Sequence, residues 1–399
     1  LVQLHPISYK LLRQGHPWVT LDAFSRRFPP DARFLRYVDA QSRSAGVLLH
    51  DPRHKEVRGR LWSRNPAWSE SDFPRELHER LTRAREKRLA MPELKLREHC
   101  YWLFGEADDV PGLMLLQLGD QFILQIYALA WQGMMPLLEK ALLSVFPEIT
   151  VAKLWLQVRS DHEAGQKPAQ KWHGPTERTI YPVREDSFLI NARLGEAYDY
   201  GLYTDMAAIR QELKALVAAS SSVLNLYSYT GAFSLMALGL GAKEAISVDL
   251  SPKYLAWLEE NLALNTFHGQ HQSLKMPAEE ALKKLAAQGK RFDLIISDPP
   301  SSSSDGQKRS SALQSYERQW EFLQPLLQPK GHLISFLNTH RVSTPKFEAQ
   351  LKAIEGNRLK LERKVFLGAD CPTLKGFHEG NYLKGLIWSC LYSQKPTQQ

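Results

Sequence analysis

Ser297 and Asp298 follow the strand-like run 292–296 and are themselves followed by Pro299, Pro300 and Ser301. Proline donates no backbone hydrogen bond, so a strand over that run must stop pairing here and turn. An acid and two rigid prolines at the carboxyl end of a parallel strand hold a polar group and bare carbonyls still beside a planar substrate. Open α/β sheets bind their ligands at that end. Asp-Pro-Pro alone reads as well as a stiff turn, so the neighbouring strand ends have to decide.

Two of them carry signals. Residues 222–226 read as a strand leading into Tyr227, Ser228, Tyr229, Thr230 and Gly231, and a helical pattern then runs through Leu238 to Gly239 and Gly241. Small residues at a strand-to-helix turn let backbone N–H groups approach a ligand, although no complete Gly-x-Gly-x-x-Gly is present. The next predicted strand, 244–248, ends in Asp249, after which Leu250, Ser251 and Pro252 open a helix reaching Leu264 and Asn265. A carboxylate at the second strand tip of a nucleotide-type fold accepts ribose hydroxyls; the alternative is an acid at a helix N-terminus. Three such signals in this order favour the nucleotide-type reading.

On segments 225–233, 248–251 and 298–301, and on the tail 370–384, the chain resembles the class I S-adenosylmethionine-dependent methyltransferases that modify bacterial large-subunit ribosomal RNA. More narrowly, it is similar to those with an N-terminal PUA-like domain, the cytosine-C5 enzymes and their guanine-N7 relatives. Segments 16–19, 105–113 and 199–205 match as well, so the resemblance covers nearly the whole chain. It implies an α/β protein: a PUA-like RNA-binding β-barrel over 1–66, a central α/β domain over 67–195 and a Rossmann-like methyltransferase domain over 196–399. It further implies that S-adenosyl-L-methionine is held by Asp205, Asn225, Tyr227, Tyr229, Thr230, Gly231, Asp249, Leu250, Met276, Pro277 and Asp298. The RNA base would be handled by Asp298, Pro299, Pro300 and Asn338, with Tyr203, Arg210, Ser301, Tyr382 and Lys384 contacting substrate. The partner implied is large-subunit ribosomal RNA in the cytoplasm, with a homodimer open and no metal or membrane expected.

Which atom is methylated depends on a cysteine. Methylation at cytosine C5 needs a thiolate to add at C6 before the ring carbon becomes nucleophilic. In the cytosine relatives that thiol follows the strand after Asp-Pro-Pro, where this chain has Asn338; the guanine-N7 relatives carry asparagine there. A guanine nitrogen is therefore favoured. Cys371, where relatives carry histidine, is the alternative nucleophile. Ring N7 has its own lone pair, so placing it in line with a sulfonium methyl supplies acceleration by proximity and orientation without a general base.

Two departures stand out. Residues 274–278 lack the acid that relatives place after the third strand to contact adenine, the nearest being Glu279 and Glu280, and Asp205 is followed by Met206 and Ala207 in place of Gln-Arg. Relatives also carry an aromatic residue soon after the two prolines, whereas here 301–306 is a flexible serine-rich patch with no aromatic before Tyr316; Tyr203 and Tyr382 are the candidates to stack on a flipped base. An RNA-binding protein with a degenerate methyltransferase fold is thus a second reading, and a methyltransferase of a small molecule or protein a third.

The charge distribution bears on the third. Residues 1–100 hold 20 Lys+Arg against 12 Asp+Glu, an excess of +8 that equals the whole-chain value, and 16 of the cations are arginine. Arg26, Arg27, Arg33, Arg36, Arg53, Arg58, Arg60 and Arg64 read as a phosphate-binding surface, which a small-molecule enzyme would not need. A length of 399 residues predicts two or three domains. Neither a long apolar run nor a basic segment followed by an apolar core occurs, so no membrane span or signal peptide is expected; an initiator methionine or a few residues are expected ahead of Leu1. The widely spaced Cys100, Cys371 and Cys390 predict a reducing compartment and no structural zinc.

Coarse periodicity predicts strands over 33–39, 45–50 and 57–62, and a helix over 74–90 with Leu77, Leu81 and Leu89 inward. Strands over 101–104, 113–118 and 121–127, a helix over 131–145, a strand over 151–158 and a polar loop over 159–180 follow.

Overall fold

The computed structural model describes residues 1–39, 41–159, 166–300, 302–304, 309–356 and 358–391. Two compact units form: one from Leu1–Val183, Ala192–Tyr200 and Ala369–Gly380, the other from Arg184–Asn191, Gly201–Gly368 and Asn381–Gln399.

The first unit opens with a five-stranded sheet in the order Val2–Gln3, Phe34–Val38, Ser44–His50, Val57–Ser63, Trp18–Thr20. Successive side chains of a strand point to opposite faces, and here both faces are covered. Leu48 packs with Val19, Leu35 and Tyr37 in a small core that includes Leu12 of the helix Pro6–Arg13. Val47 and Leu49 join Trp62, Trp68, Phe73 and Leu77 in a larger one. That larger core continues into a second sheet, ordered Gln170–Lys171, Leu154–Val158, Gln121–Ile126, Leu113–Leu118, His99–Phe104. The helix Phe73–Leu89 buries Leu77, Leu81, Ala84 and Arg88 at helical spacing; Leu89, expected inward, is 52% exposed. The helix expected over 131–145 begins with the 3-10 turn Leu129–Met134 and becomes α-helical only at Met135–Val145, with Pro136 in its first turn.

The arginine-rich surface is smaller than the sequence suggests. Arg36 donates to the carbonyls of Pro66 and Trp68, Arg53 to Leu129, Arg58 to Pro52 and Arg64 to Leu12, while Arg60 is buried on Glu106. Arg33 lies 3.6 Å from Glu70. Of the eight arginines, Arg26 and Arg27 remain exposed on the turn Ser25–Arg27, with no side-chain partner among the described residues.

The second unit is built on a seven-stranded sheet with strands β1 (Ser222–Leu226), β2 (Glu244–Asp249), β3 (Gln270–Lys275), β4 (Phe292–Ser297), β5 (Leu327–Asn338), β6 (Leu359–Phe366) and β7 (Leu383–Cys390). Their order is β3-β2-β1-β4-β5-β7-β6, parallel except for β7, which is antiparallel to both β5 and β6. The near-continuous apolar runs of β1 and β4 fit strands covered on both faces. Helices α1 (Ala207–Ala218), α2 (Ala232–Gly239), α3 (Pro252–Ala263), α4 (Ala278–Ala287), α5 (Ala312–Leu323) and α6 (Thr344–Glu355) complete the unit. The strand order reverses between β1 and β4, and a doubly wound sheet opens its ligand crevice at such a point. The serine patch expected to be a flexible loop contains a short antiparallel ribbon, Ser302–Ser304 with Arg309–Ser311.

Candidate active site

The loop after β1 is held in an uncommon conformation. Tyr227 and Tyr229 have φ of +59° and +52°, and Gly231 has +89°; non-glycine residues adopt this region only where the surroundings enforce it. Asp249 Oδ2 accepts the Tyr229 N–H at 2.9 Å, Asn261 Nδ2 donates to the Thr230 carbonyl at 3.0 Å, and the Gly201 N–H donates to the Tyr229 hydroxyl at 3.1 Å. The Thr230 hydroxyl donates to the Gly201 carbonyl. Both glycines are required by space as well as by φ: a Cβ on Gly231 would stand 1.9 Å from Leu258 Cδ1, and one on Gly201 2.2 Å from the Trp257 ring.

Asp249 ends β2 beside this loop. Its Oδ1 accepts the Ser251 N–H at 2.9 Å, and the Leu250 N–H also reaches the carboxylate, which retains acceptor capacity beyond these bonds. Burial pushes its pKa up, against the backbone hydrogen bonds that lower it. Next to it Leu250 is 58% exposed, while Met276 and Pro277 after β3 are half-buried. The Ser228 hydroxyl is buried with no hydrogen-bond partner among the described residues. A vicinal diol donor and a flat apolar ring would meet these needs.

Asp298 lies one residue beyond β4. Its pKa is pushed up to about 7, first by burial and then by the like charge of Asp205. It has no hydrogen-bond partner among the described residues. Asp205 in turn accepts the Tyr382 hydroxyl at 2.7 Å. Beneath Asp298, the Tyr316 hydroxyl lies 2.8 Å from the Ser297 carbonyl and 2.9 Å from that of Phe336, so it pins the ends of β4 and β5. Tyr203 is 46% exposed and its ring packs on Tyr229 at 5.0 Å, interplanar angle 36°. Asn338 is the exposed last residue of β5, three residues beyond Ser335, which faces Ser297 across the ladder.

The chain is similar to known proteins in sequence and in fold. The family profile described as "Conserved hypothetical protein 95" matches residues 207–325. Ribosomal RNA large subunit methyltransferase I of Klebsiella pneumoniae strain 342 is 26% identical over 387 residues, 94% of each chain. The protein of that name from Alteromonas mediterranea is 27% identical over 403 residues, covering 97% of this chain and 98% of its own. The chain is thus similar to these ribosomal RNA methyltransferases over nearly its whole length. A solved methyltransferase complexed with SAH superposes with a TM-score of 0.85 at 19% identity, over 98% of this chain and 100% of its own, which gives the fold.

Several of the expected site residues take other places in the fold. Arg210 is buried and paired in two bonds with Glu185, one of 2.6 Å, so its charge is met within the fold. Lys384 is buried too, donating to the carbonyls of Thr339, Asn381 and Tyr382; it fixes the turn after β5. Asn225 lies inside β1 and donates to Ser234, supporting the loop from below instead of facing a ligand. Pro299 is buried and Pro300 exposed, and Ser301 lies outside the described residues. Sequence reasoning missed Tyr316, Glu185 and Asn261 as determinants of the site, since nothing in their local spacing marks them; Gly201 lies in the segment 199–205 that the resemblance includes.

In the first unit, segments 16–19 and 105–113 and the tail of the resemblance hold one another. His16 Nε2 sits 3.2 Å from Glu379, Trp18 Nε1 donates to Glu106 at 2.6 Å, and Arg88 is bidentate on Asp108 at 2.7 and 2.6 Å. A groove at the amino-terminal ends of β2 and β3, lined by Ser187, Leu238, Lys243, Phe267 and His268, lies at the opposite end of the sheet from Asp249 and Asp298. Among the described residues no cluster of three His, Cys, Asp or Glu is placed to hold a metal, and no helix is long and apolar enough to cross a membrane.

Proposed function

We propose that this chain is an S-adenosylmethionine-dependent methyltransferase acting on a base of large-subunit ribosomal RNA, at a guanine nitrogen. The observation that carries this reading is the pair of acids at the strand ends flanking β1, Asp249 and Asp298, around a left-handed loop with an unpartnered buried hydroxyl. The bound cofactor would supply an electrophilic methyl on a sulfonium. Asp249 takes the ribose hydroxyls, Ser228 completes its hydrogen bonds on the ligand, and Leu250, Met276 and Pro277 border the adenine. Without an acid after β3, adenine is selected by shape and backbone alone. Asp205 places negative charge where the cationic sulfur arrives, and Asp298, with a pKa of about 7, adds to it as it ionises.

On the substrate side, Asn338 addresses the base edge, and Tyr203 offers the exposed ring on which a flipped base stacks. A ring nitrogen needs only alignment, which suits a site without a thiol. The second unit has one cysteine, Cys390, at the far end of the eight-residue β7 from Leu383, which pairs with Asn338. That is roughly 23 Å along the strand. Cys371 belongs to the first unit and is 1% exposed. The first unit, PUA-like over residues 1–66, contributes phosphate contacts through Arg26 and Arg27.

The test is calorimetric titration with SAH followed by methyl transfer to deproteinised ribosomal RNA. Binding with transfer supports the reading; binding without transfer returns it to an RNA-binding protein with a degenerate fold, and no binding removes the cofactor.

A further inference from the structure

A buried chain of hydrogen bonds crosses β1, β2 and β3 beneath the loop 227–231. Asn225 Nδ2 donates to Ser234 Oγ at 3.0 Å, the hydroxyls of Ser234 and Ser247 lie 2.7 Å apart, and Ser247 Oγ is 2.8 Å from His271 Nε2. Asn225 and Ser247 face each other across the β1–β2 ladder, and Ser234 sits in the first turn of α2. Ser234 and Ser247 are fully buried, and Asn225 nearly so. Beyond the imidazole, His271 Nδ1 lies 3.8 Å from the exposed Glu259 carboxylate, which also accepts the Ser273 hydroxyl at 2.6 Å.

The chain has one consistent direction. The Asn225 amide nitrogen can only donate, so Ser234 Oγ accepts there. Ser234 then gives its proton to Ser247, Ser247 gives its own to His271 Nε2, and the imidazole proton rests on Nδ1, towards Glu259. Each hydroxyl thus accepts once and donates once: Ser234 accepts from Asn225 and donates to Ser247, which donates onward to His271. If Nε2 carries a proton the order reverses, and the Ser234 proton is turned back towards the Asn225 amide in a buried space.

We propose that His271 is a positioning residue for the cofactor loop: a neutral acceptor at Nε2 that orients Ser247 and Ser234, and through them Asn225 and the start of α2. These last two are the stems on either side of the loop, so the relay closes its base; the proposal rests on the cofactor-binding reading above. Burial lowers the imidazole pKa, and Glu259, the charged group bearing on it among the described residues, raises it in part. The neutral form therefore prevails near pH 7, and the relay loosens in acid.

The experiment is SAH titration of the full chain at pH 7.5 and 5.5 for wild type, His271→Ala, His271→Gln and Ser247→Ala. Glutamine places an amide oxygen where Nε2 stands, so it restores the acceptor without titrating. His271→Ala and Ser247→Ala should each weaken SAH binding about five- to twentyfold at pH 7.5, with kcat at saturating cofactor within about twofold of wild type. His271→Gln should bind within about twofold of wild type and lose less affinity at pH 5.5. Asp249 and Asp298 are present in every variant, so their titration cancels in the ratios. If His271→Ala fails to fold, Ser247→Ala reads the same coupling. Wild-type affinity in either of these variants, or a glutamine variant as weak as the alanine one, overturns the proposal. Failure of wild type to bind SAH would overturn the cofactor reading itself and this inference with it.

Discussion

The Tyr382 hydroxyl donates to the Asp205 carboxylate at 2.7 Å, and the charge of Asp205 bears in turn on Asp298. The segment leading into β7 and the segment before α1 thus set the electrostatics of the acid at the end of β4. Tyr382, a candidate to stack on a base, is engaged by its hydroxyl, whereas Tyr203 presents an exposed ring.

Asp298 makes stability depend on pH with a definite sign. Its folded pKa of about 7 lies above the unfolded value near 3.9, so between these limits the folded state holds a proton that the unfolded chain has released. Its stabilising contribution is complete below about pH 4 and is lost as pH rises through about 7. Asp298→Asn should therefore raise stability at pH 8 by up to about 4 kcal/mol, less any relief from the water that reaches the partly exposed side chain. The gain should vanish near pH 4, as urea unfolding at both pH values would read. Equal gain at both would show that the carboxyl is not held protonated.

Arg210→Ala should act on folding rather than on RNA. It leaves Glu185 buried and unpaired, which costs about 3–5 kcal/mol. Urea denaturation should show that loss; normal stability with weakened RNA binding would restore Arg210 to the substrate site.

Tyr203→Ala should lower kcat/KM for RNA by about 1–3 kcal/mol, the scale of one base–aromatic stack. SAH affinity and melting temperature should stay close to wild type. Unchanged transfer in this variant would move the stacking role elsewhere.

Asp249→Ala should weaken SAH by roughly 1.5–3 kcal/mol, the scale of hydrogen bonds to a charged group, and relax Tyr229, whose N–H it accepts. Unchanged calorimetric affinity would displace the ribose from β2.

The fold and the site were legible to different degrees. Ser222–Leu226 and Leu113–Leu118 form as their β-branched and apolar runs predict, and Asp249 and Asp298 stand at strand ends because a preceding buried run and a following proline leave little choice. Side-chain partners were not legible. Nothing in the spacing of Arg36, Arg53 or Arg64 says that a guanidinium will meet a carbonyl instead of a phosphate. Likewise Arg210 and Lys384 carry the charge of ligand residues, but Glu185, 25 residues before Arg210, and the carbonyl of Thr339, 45 residues before Lys384, claim them. The relay through His271 joins three strands and a helix, so no local pattern contains it.

Nucleoside mass spectrometry of ribosomal RNA methylated by the purified chain tests the central claim most directly, run beside an Asn338→Ala variant and the double variant Cys371→Ser, Cys390→Ser. The expected result is a methylated guanosine, substantial activity without the two cysteines, no covalent adduct with 5-fluorocytosine-containing RNA, and a strong loss of transfer in Asn338→Ala with SAH binding retained. A 5-methylcytidine product with a cysteine-linked adduct would contradict it.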